Sequence, residues 1–521
     1  MTRRKRSVRP RRRNKKQQTK QTPQKNKTVF NDLRNWIVPK GELFTKNRFH
    51  GNIKWDADEL AVQALIWAWH EAKNVTDAFD QTAEVCEELG MKSVANSYTA
   101  FMNALYCYKD CLNSRLRQQF QELAEDVGER FWREDEWVLM GFDGSRATTP
   151  RSVANEKAFC APNYGKGKTA KYRKKKSKGM RRQQNEKNKA QPQTPQAWIT
   201  MMWHMGLRLP WTWRLGPSNS SERGHVMEML EQEEFPEKTL FCGDAGFVGY
   251  PLWNSVLSAG GDFLVRVGAN VSLLSEKADV KRCGGGIVLC WPKGKMNSGA
   301  KPLRLRLIKV MIGRTKMWML MSVLDAKKLS TKQIVRYYKM RWGVEVEFRG
   351  LKQTIDKRKL RCRNSDRVLV ELDWSIRAMA VAELIALREQ ISRQRSQSTD
   401  EELAYDTKDR SLANTMRALR KCMRNLHKYT IPSDGLFYQL SRALVQKYEN
   451  RTDKKSRYRP KNPDKKSLRD CSVENLPMLA KPLLRLLRNW KHGQDEQIAK
   501  TDSASSSRVG QATASNLFPQ V

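Results

Sequence analysis

Tyr338-Lys-Met-Arg341-Trp-Gly-Val-Glu345-Val-Glu-Phe-Arg-Gly-Leu-Lys352 is the stretch on which the reading of this chain turns. Tyr338, Arg341, Glu345 and Lys352 stand at offsets of 0, 3, 7 and 14. At about 100° per residue, these offsets share a sector of roughly 60° on one face of a helix. That face carries one carboxylate, two cations and a phenol. Trp342 and Val346 border it on one side and Phe348 and Ile355 on the other. A solvated charged face is not normally hemmed in by apolar residues. The arrangement suits a helix that carries a metal-binding carboxylate into a cleft, with cations beside it to hold phosphate. The bland alternative is an amphipathic helix with scattered charges.

Two upstream segments count against that alternative. Trp137-Val-Leu-Met-Gly-Phe-Asp143-Gly-Ser and Thr239-Leu-Phe-Cys-Gly-Asp244-Ala-Gly-Phe both run through mostly apolar residues into Asp and then a small residue. A buried strand delivers a carboxylate to the open edge of a sheet in this way, although Asp-Gly alone is first a turn signal. Three acids from two strand ends and a helix are enough to hold two divalent cations. Such ions activate an attacking oxygen and stabilise the leaving one in phosphoryl transfer.

In these residues the chain resembles the DDE transposases of bacterial insertion sequences, the branch marked by a Tyr-x2-Arg-x3-Glu-x6-Lys signature. Tyr338, Arg341, Glu345 and Lys352 match all four signature positions, and Asp143 and Asp244 fit the first two acids. Leu209-Pro-Trp-Thr-Trp-Arg-Leu and Asp262-Phe-Leu-Val-Arg266 are also similar to family segments, and the likeness spans roughly residues 130–380. It implies an α/β fold: an RNase H-like mixed-sheet catalytic core with a β-rich insertion, flanked by helical N- and C-terminal regions. The insertion is expected at about 268–330, where alternating or apolar runs are broken by Gly284-Gly-Gly286, a triplet that a helix holds poorly. The resemblance further implies that Asp143, Asp244 and Glu345 are catalytic and bind two Mg²⁺ ions, or Mn²⁺. Tyr338, Arg341 and Lys352 would contact DNA phosphates, so that the two cations grip the backbone rather than neutralise the glutamate. Glu347, the rival carboxylate, falls on the opposite side of the helix and is set aside. The implied activity is cleavage and strand transfer of an insertion sequence on double-stranded DNA by a homodimer. The alternatives are an RNase H-like nuclease without strand transfer and a domesticated DNA-binding protein.

Composition points to the same partner. The 521 residues carry a formal charge of +43, an excess that favours a polyanion through counterion release. Residues 1–28 hold 13 Lys or Arg and no acid, and 1–50 are expected to be a basic disordered arm. A second basic run within 160–196 includes Lys174, Lys175, Lys176, Arg181 and Arg182. It stands where a tight hairpin would suffice, and it is expected to contact DNA. No paired Cys-x2-Cys set occurs among the ten cysteines, so neither a zinc ribbon nor a disulfide framework is indicated. The chain has no run of 18 apolar residues and does not open on a signal peptide. The expected location is the bacterial cytoplasm, at the nucleoid and with no membrane partner.

Helical patterns open at Asp56-Ala-Asp-Glu59, a capping-box pattern, and continue over 76–89, 94–109 and 113–127. Residues 51–130 are expected to form a helical DNA-binding domain, with Ser97-Tyr98-Thr99 offered to a groove. The catalytic domain is placed at 131–385. A helical C-terminal region with a disordered tail covers 386–521, with helices expected over 368–394, 412–426, 436–448 and 479–490.

Overall fold

The computed structural model describes residues 22–44, 53, 55–91, 95–160, 194–397 and 406–445. In chain order the strands are β1 (Gln24–Lys25), β2 (Val138–Thr148), β3 (Gln196–His204), β4 (Leu209–Gly216), β5 (Thr239–Gly243) and β6 (Asp262–Gly268). They continue as β7 (Asp279–Gly284), β8 (Ile287–Trp291), β9 (Leu303–Ile312), β10 (Thr315–Met321) and β11 (Tyr429–Thr430). Nine of them form one mixed sheet in the order β4-β3-β2-β5-β6-β10-β9-β8-β7. β4 and β3, and β3 and β2, pair antiparallel. β2, β5 and β6 run parallel. This mixed five-strand order is the one expected of an RNase H-like core.

Residue choice explains the arrangement. β5, Thr-Leu-Phe-Cys-Gly, is buried at every position, as expected of a parallel strand covered on both faces. The expected β-rich insertion lies between Asp244 and Glu345 in the chain. Its strands β7–β10 extend the same sheet, with β10 antiparallel to β6. Gly284, Gly285 and Gly286 all have positive φ, at 83°, 55° and 77°, so the triplet makes the turn between β7 and β8.

The long helix Ser365–Gln397 is the axis of the helical shell. Its Ala378 carbonyl accepts a 2.9 Å hydrogen bond from Trp69 Nε1 on the helix Ala57–Trp69. Asp56 caps that second helix, accepting from the amides of Asp58 at 2.8 Å and Glu59 at 3.2 Å. The helix Val75–Leu89 ends on Gly90 in the left-handed region. The next two helices occupy Tyr98–Cys107 and Lys109–Trp132, meeting at Tyr108. Tyr98 faces inward rather than toward a groove: its hydroxyl meets Cys362 Sγ at 3.1 Å, and its ring packs beside Trp67 and Phe79.

Within the stretch expected to be a basic arm, Asn26–Ile37 is a helix that buries Val29, Phe30, Leu33 and Ile37. Just before it, β1 pairs with β11. Shorter helices occupy Leu412–Met423 and Leu436–Ser441. The helix expected over 479–490 lies outside the described residues.

Candidate active site

Sheet register sets the first two acids. In the parallel pair β2–β5, Gly141 stands opposite Cys242. Continued two residues, this register brings Asp143 level with Asp244 on one face, and the charge of Asp244 is felt at Asp143. Asp143 lies in the middle of β2 rather than at its end, because β2 continues against β3 as far as Thr148. The open edge is made instead by β5, which stops at Gly243. Asp244 then caps a short 3₁₀ turn, Ala245–Phe247, accepting from Gly246 N at 2.7 Å.

The third element corrects the expectation of one continuous helix. Thr331–Met340 and Gly343–Gln353 are separate helices, joined through Arg341 and Trp342. Across the joint, Trp342 N bonds Lys339 O, Val344 N bonds Arg341 O and Glu345 N bonds Trp342 O, at 3.1–3.2 Å. These i to i−3 bonds wind the chain more tightly than 3.6 residues per turn, so Tyr338 belongs to a different helix from Glu345 and Lys352. At the joint the backbone lies against β3. A Cβ added to Gly343 would stand 1.9 Å from Trp203 Cη2.

The expected apolar border is also corrected on one side. Trp342 is 57% exposed and Val346 40% exposed. The core-facing row is Val344, Phe348, Leu351 and Ile355, all buried. Glu347 is buried too, paired with Glu383 near Arg208 and Arg410. Burial and Glu383 push its carboxyl well above the usual range.

Arg341, expected to grip phosphate, lies against the acids in this structure. Its side chain is 7% exposed, with Nη1 3.6 Å from Asp143 Oδ2 and Nη2 3.4 Å from Glu345 Oε1. The guanidinium therefore lies between two of the three acids. It also sits 5.5 Å from the ring centroid of the buried Tyr338. Lys352 Nζ donates to Ser145 Oγ at 2.6 Å. Ser145 lies two residues beyond Asp143 and therefore on the same face of β2. Burial, helped by Arg358, lowers the Lys352 pKa. Lys174, Lys175, Lys176, Arg181 and Arg182 lie outside the described residues.

Electrostatics single out Asp143. Burial raises its pKa, with Asp244 and Glu345 adding to the rise, while the Gly144 amide (2.8 Å) and Arg341 oppose it. A fourth carboxylate, Glu222, escaped sequence reasoning. It opens the helix Glu222–Gln232 behind Ser221, whose hydroxyl caps Gly224 N at 3.2 Å. Burial raises the Glu222 pKa, followed by the charges of Asp143 and Asp244. A lone Glu after a capping Ser carries no motif; only the sheet topology brings it to the site.

The donor set suits a hard divalent cation. Asp143, whose pKa the neighbouring acids help to raise, would be relieved by a metal ion, and all the donors are oxygen. Among the described residues, no three Asp, Glu, His or Cys side chains converge on one point.

Comparison with known proteins bears on the same residues. No curated protein sequence matches the chain. Among solved structures, the piggyBac transposase synaptic complex with hairpin DNA matches with a TM-score of 0.33 and 12% identity, covering 78% of this chain and 84% of that one. The family model described as the transposase DDE domain matches residues 165–381. That span holds Asp244, Glu345 and the signature cations, and sheet register adds Asp143 from just outside it. The match to this domain supports a DDE transposase.

Proposed function

We propose that this chain is a transposase of a bacterial insertion sequence, cutting at the ends of the element and joining them to target DNA. The observation that carries this reading is the register of β2 and β5, which sets Asp143 level with Asp244. Arg341 then links Asp143 to Glu345 on the neighbouring helix. Asp143, Asp244 and Glu345 would hold two Mg²⁺ ions, or Mn²⁺. When bound, the metal supplies an activated attacking oxygen and charge stabilisation of the leaving one.

The remaining residues position the DNA. Arg341 holds its two carboxylates at 3.4–3.6 Å, long for charge-assisted hydrogen bonds, so a phosphate can draw the guanidinium off them. Lys352 reaches the same strand face through Ser145, and Tyr338 backs Arg341. The basic run with Lys174, Lys175, Lys176, Arg181 and Arg182 grips the backbone without reading sequence. Two element ends must be held together, so the working form is a homodimer on double-stranded DNA. The helices of 51–130 contribute to end recognition.

The test is a strand-transfer assay with a labelled element end and a target plasmid. Joined products support transposition. Cleavage without joining indicates an RNase H-like nuclease, and a bandshift without chemistry indicates a DNA-binding protein. Asp143→Asn, Asp244→Asn and Glu345→Gln are each expected to abolish chemistry while sparing DNA binding. Retained cleavage in any of the three would remove that residue from the site.

A further inference from the structure

We infer that Asp135 is a positioning residue for Arg341: by anchoring the helix Thr331–Met340 to the turn that opens β2, it sets where the guanidinium stands between Asp143 and Glu345. This rests on the reading of those acids as the reactive site and extends it to a residue outside the site itself.

Asp135 and Glu136 make a two-residue turn, closed by Glu134 N to Trp137 O at 2.9 Å and by Trp137 N to Glu134 O at 3.1 Å. Asp135 has a φ of 56°, in the left-handed region that such turns most often give to Gly, Asn or Asp. One of its oxygens, Oδ2, accepts from three side chains of the helix: Gln333 Nε2 at 2.7 Å, Arg336 Nη2 at 2.6 Å and the Tyr337 hydroxyl. Positions 333, 336 and 337 share one helical face. The hydrogen bonds from Tyr337 and Gln333 hold the Asp135 carboxyl below the usual carboxylate range, which keeps it an acceptor at neutral pH.

From this anchor the connection to the acids is short. Tyr337 is fully buried, and its carbonyl accepts from Arg341 N at 3.2 Å. The Arg341 side chain then follows β2. A Cβ built on Gly141 would stand 3.5 Å from Arg341 Cγ, and Nη1 lies 3.6 Å from Asp143 Oδ2. A shift of the helix along its axis therefore moves Arg341 relative to Asp143. Stability gives a weaker reason for the cluster. The Arg336 and Asp135 side chains are 47% and 42% exposed, and pairs that exposed contribute little. Gly or Asn would serve the turn equally well. What the carboxylate adds is a single point that holds three side chains of the helix at once.

Two measurements on the full-length chain test this. In metal-dependent end cleavage, Asp135→Gly keeps the turn and Tyr337→Phe keeps the buried ring. Each is expected to lower kcat about tenfold or more, with KM within about twofold of wild type. Asp135→Asn, which keeps an acceptor oxygen, should recover part of the loss. Wild-type kcat in Asp135→Gly, or no recovery in Asp135→Asn, would overturn the inference. Thermal unfolding at pH 7 supplies a readout that needs no activity. Val138 to Asp143 alone spans about 16 Å of strand, and changes that far apart normally add. Arg341, however, opposes the cost of burying the Asp143 charge. The gain in Tm from Asp143→Asn is therefore expected to be larger in an Asp135→Gly chain than in wild type, and an equal gain would overturn the inference. If wild type does not cleave, or Asp143→Asn still does, the reading of the acids fails. The unfolding comparison then decides by itself whether Asp135 positions Arg341.

Discussion

Gly343→Ala tests whether the site depends on the close approach of the signature helix to β3. A Cβ at position 343 would stand 1.9, 2.5 and 2.9 Å from three ring carbons of Trp203. Trp203 is fully buried, so its ring has little room to yield. Carbon atoms pack at about 3.5 Å or more, so the helix must retreat by roughly 1.6 Å. Alanine restores about 1 kcal/mol of helix propensity, while overpacking costs about 1–3 kcal/mol, giving a net loss of up to about 2 kcal/mol. The effect on chemistry is expected to be larger, because Glu345 lies two residues along the displaced backbone. A misplacement of about 1 Å can cost a hundredfold in rate. Urea unfolding and a metal-dependent end-cleavage assay read the two effects separately. Trp203→Leu in the same chain should recover part of the cleavage lost. Should Gly343→Ala cleave within about twofold of wild type, the close approach does not position Glu345.

Three further outcomes follow from the buried acids. Asp143→Asn is expected to raise Tm at pH 7 while abolishing cleavage. Because the Asp143 pKa is raised in the fold, the native state binds more protons just above the ordinary value. Stability then falls as pH rises through that window, so the gain from Asn should disappear in acid; a Tm below wild type at pH 7 would contradict this. Glu347→Gln should keep cleavage and be at least as stable at pH 7, since its carboxyl is pushed up even more strongly; loss of cleavage would restore Glu347 as a rival to Glu345. Glu371→Gln should lose about 3–5 kcal/mol in urea unfolding at pH 7. Glu371 is buried and accepts from Lys357 Nζ at 2.8 Å and from the amides of Arg361 at 2.9 Å and Cys362 at 3.0 Å. Burial pushes its pKa up, but Lys357 and these amides hold it below the usual value. Its contribution is therefore present above the ordinary carboxylate range and is lost as pH falls; an unchanged midpoint would show that the pair contributes nothing.

The parts of the site legible in sequence were those announced by local pattern. Asp143 and Asp244 each end an apolar run, and Glu345 shares a spacing with its cations. Helix ends were legible where a capping side chain marks them, as at Asp56 and Gly90. Three features were not. The joint at Arg341–Trp342 depends on i to i−3 bonds, and a periodicity argument assumes 3.6 residues per turn throughout. The double pairing of Arg341 depends on a strand about 200 residues upstream. Glu222 is brought to the acids only because its helix crosses beside β2, a tertiary fact with no local trace.

The pairing of β1 with β11 has a consequence for how the chain is made. Asn26–Ile37 meets Trp69 through Phe30 soon after both are made, but its packing is completed only when Tyr429–Thr430 has been synthesised, since Asn26 N also bonds Lys428 O at 2.9 Å. At about 5–20 residues per second, the intervening chain takes roughly 20–80 s to emerge. Through that interval the apolar face formed by Val29, Phe30, Leu33 and Ile37 lacks its final partner. Among the described residues, the first helix to be made is therefore one of the last to be fully packed, which leaves part of its apolar face open while the catalytic sheet is still being synthesised.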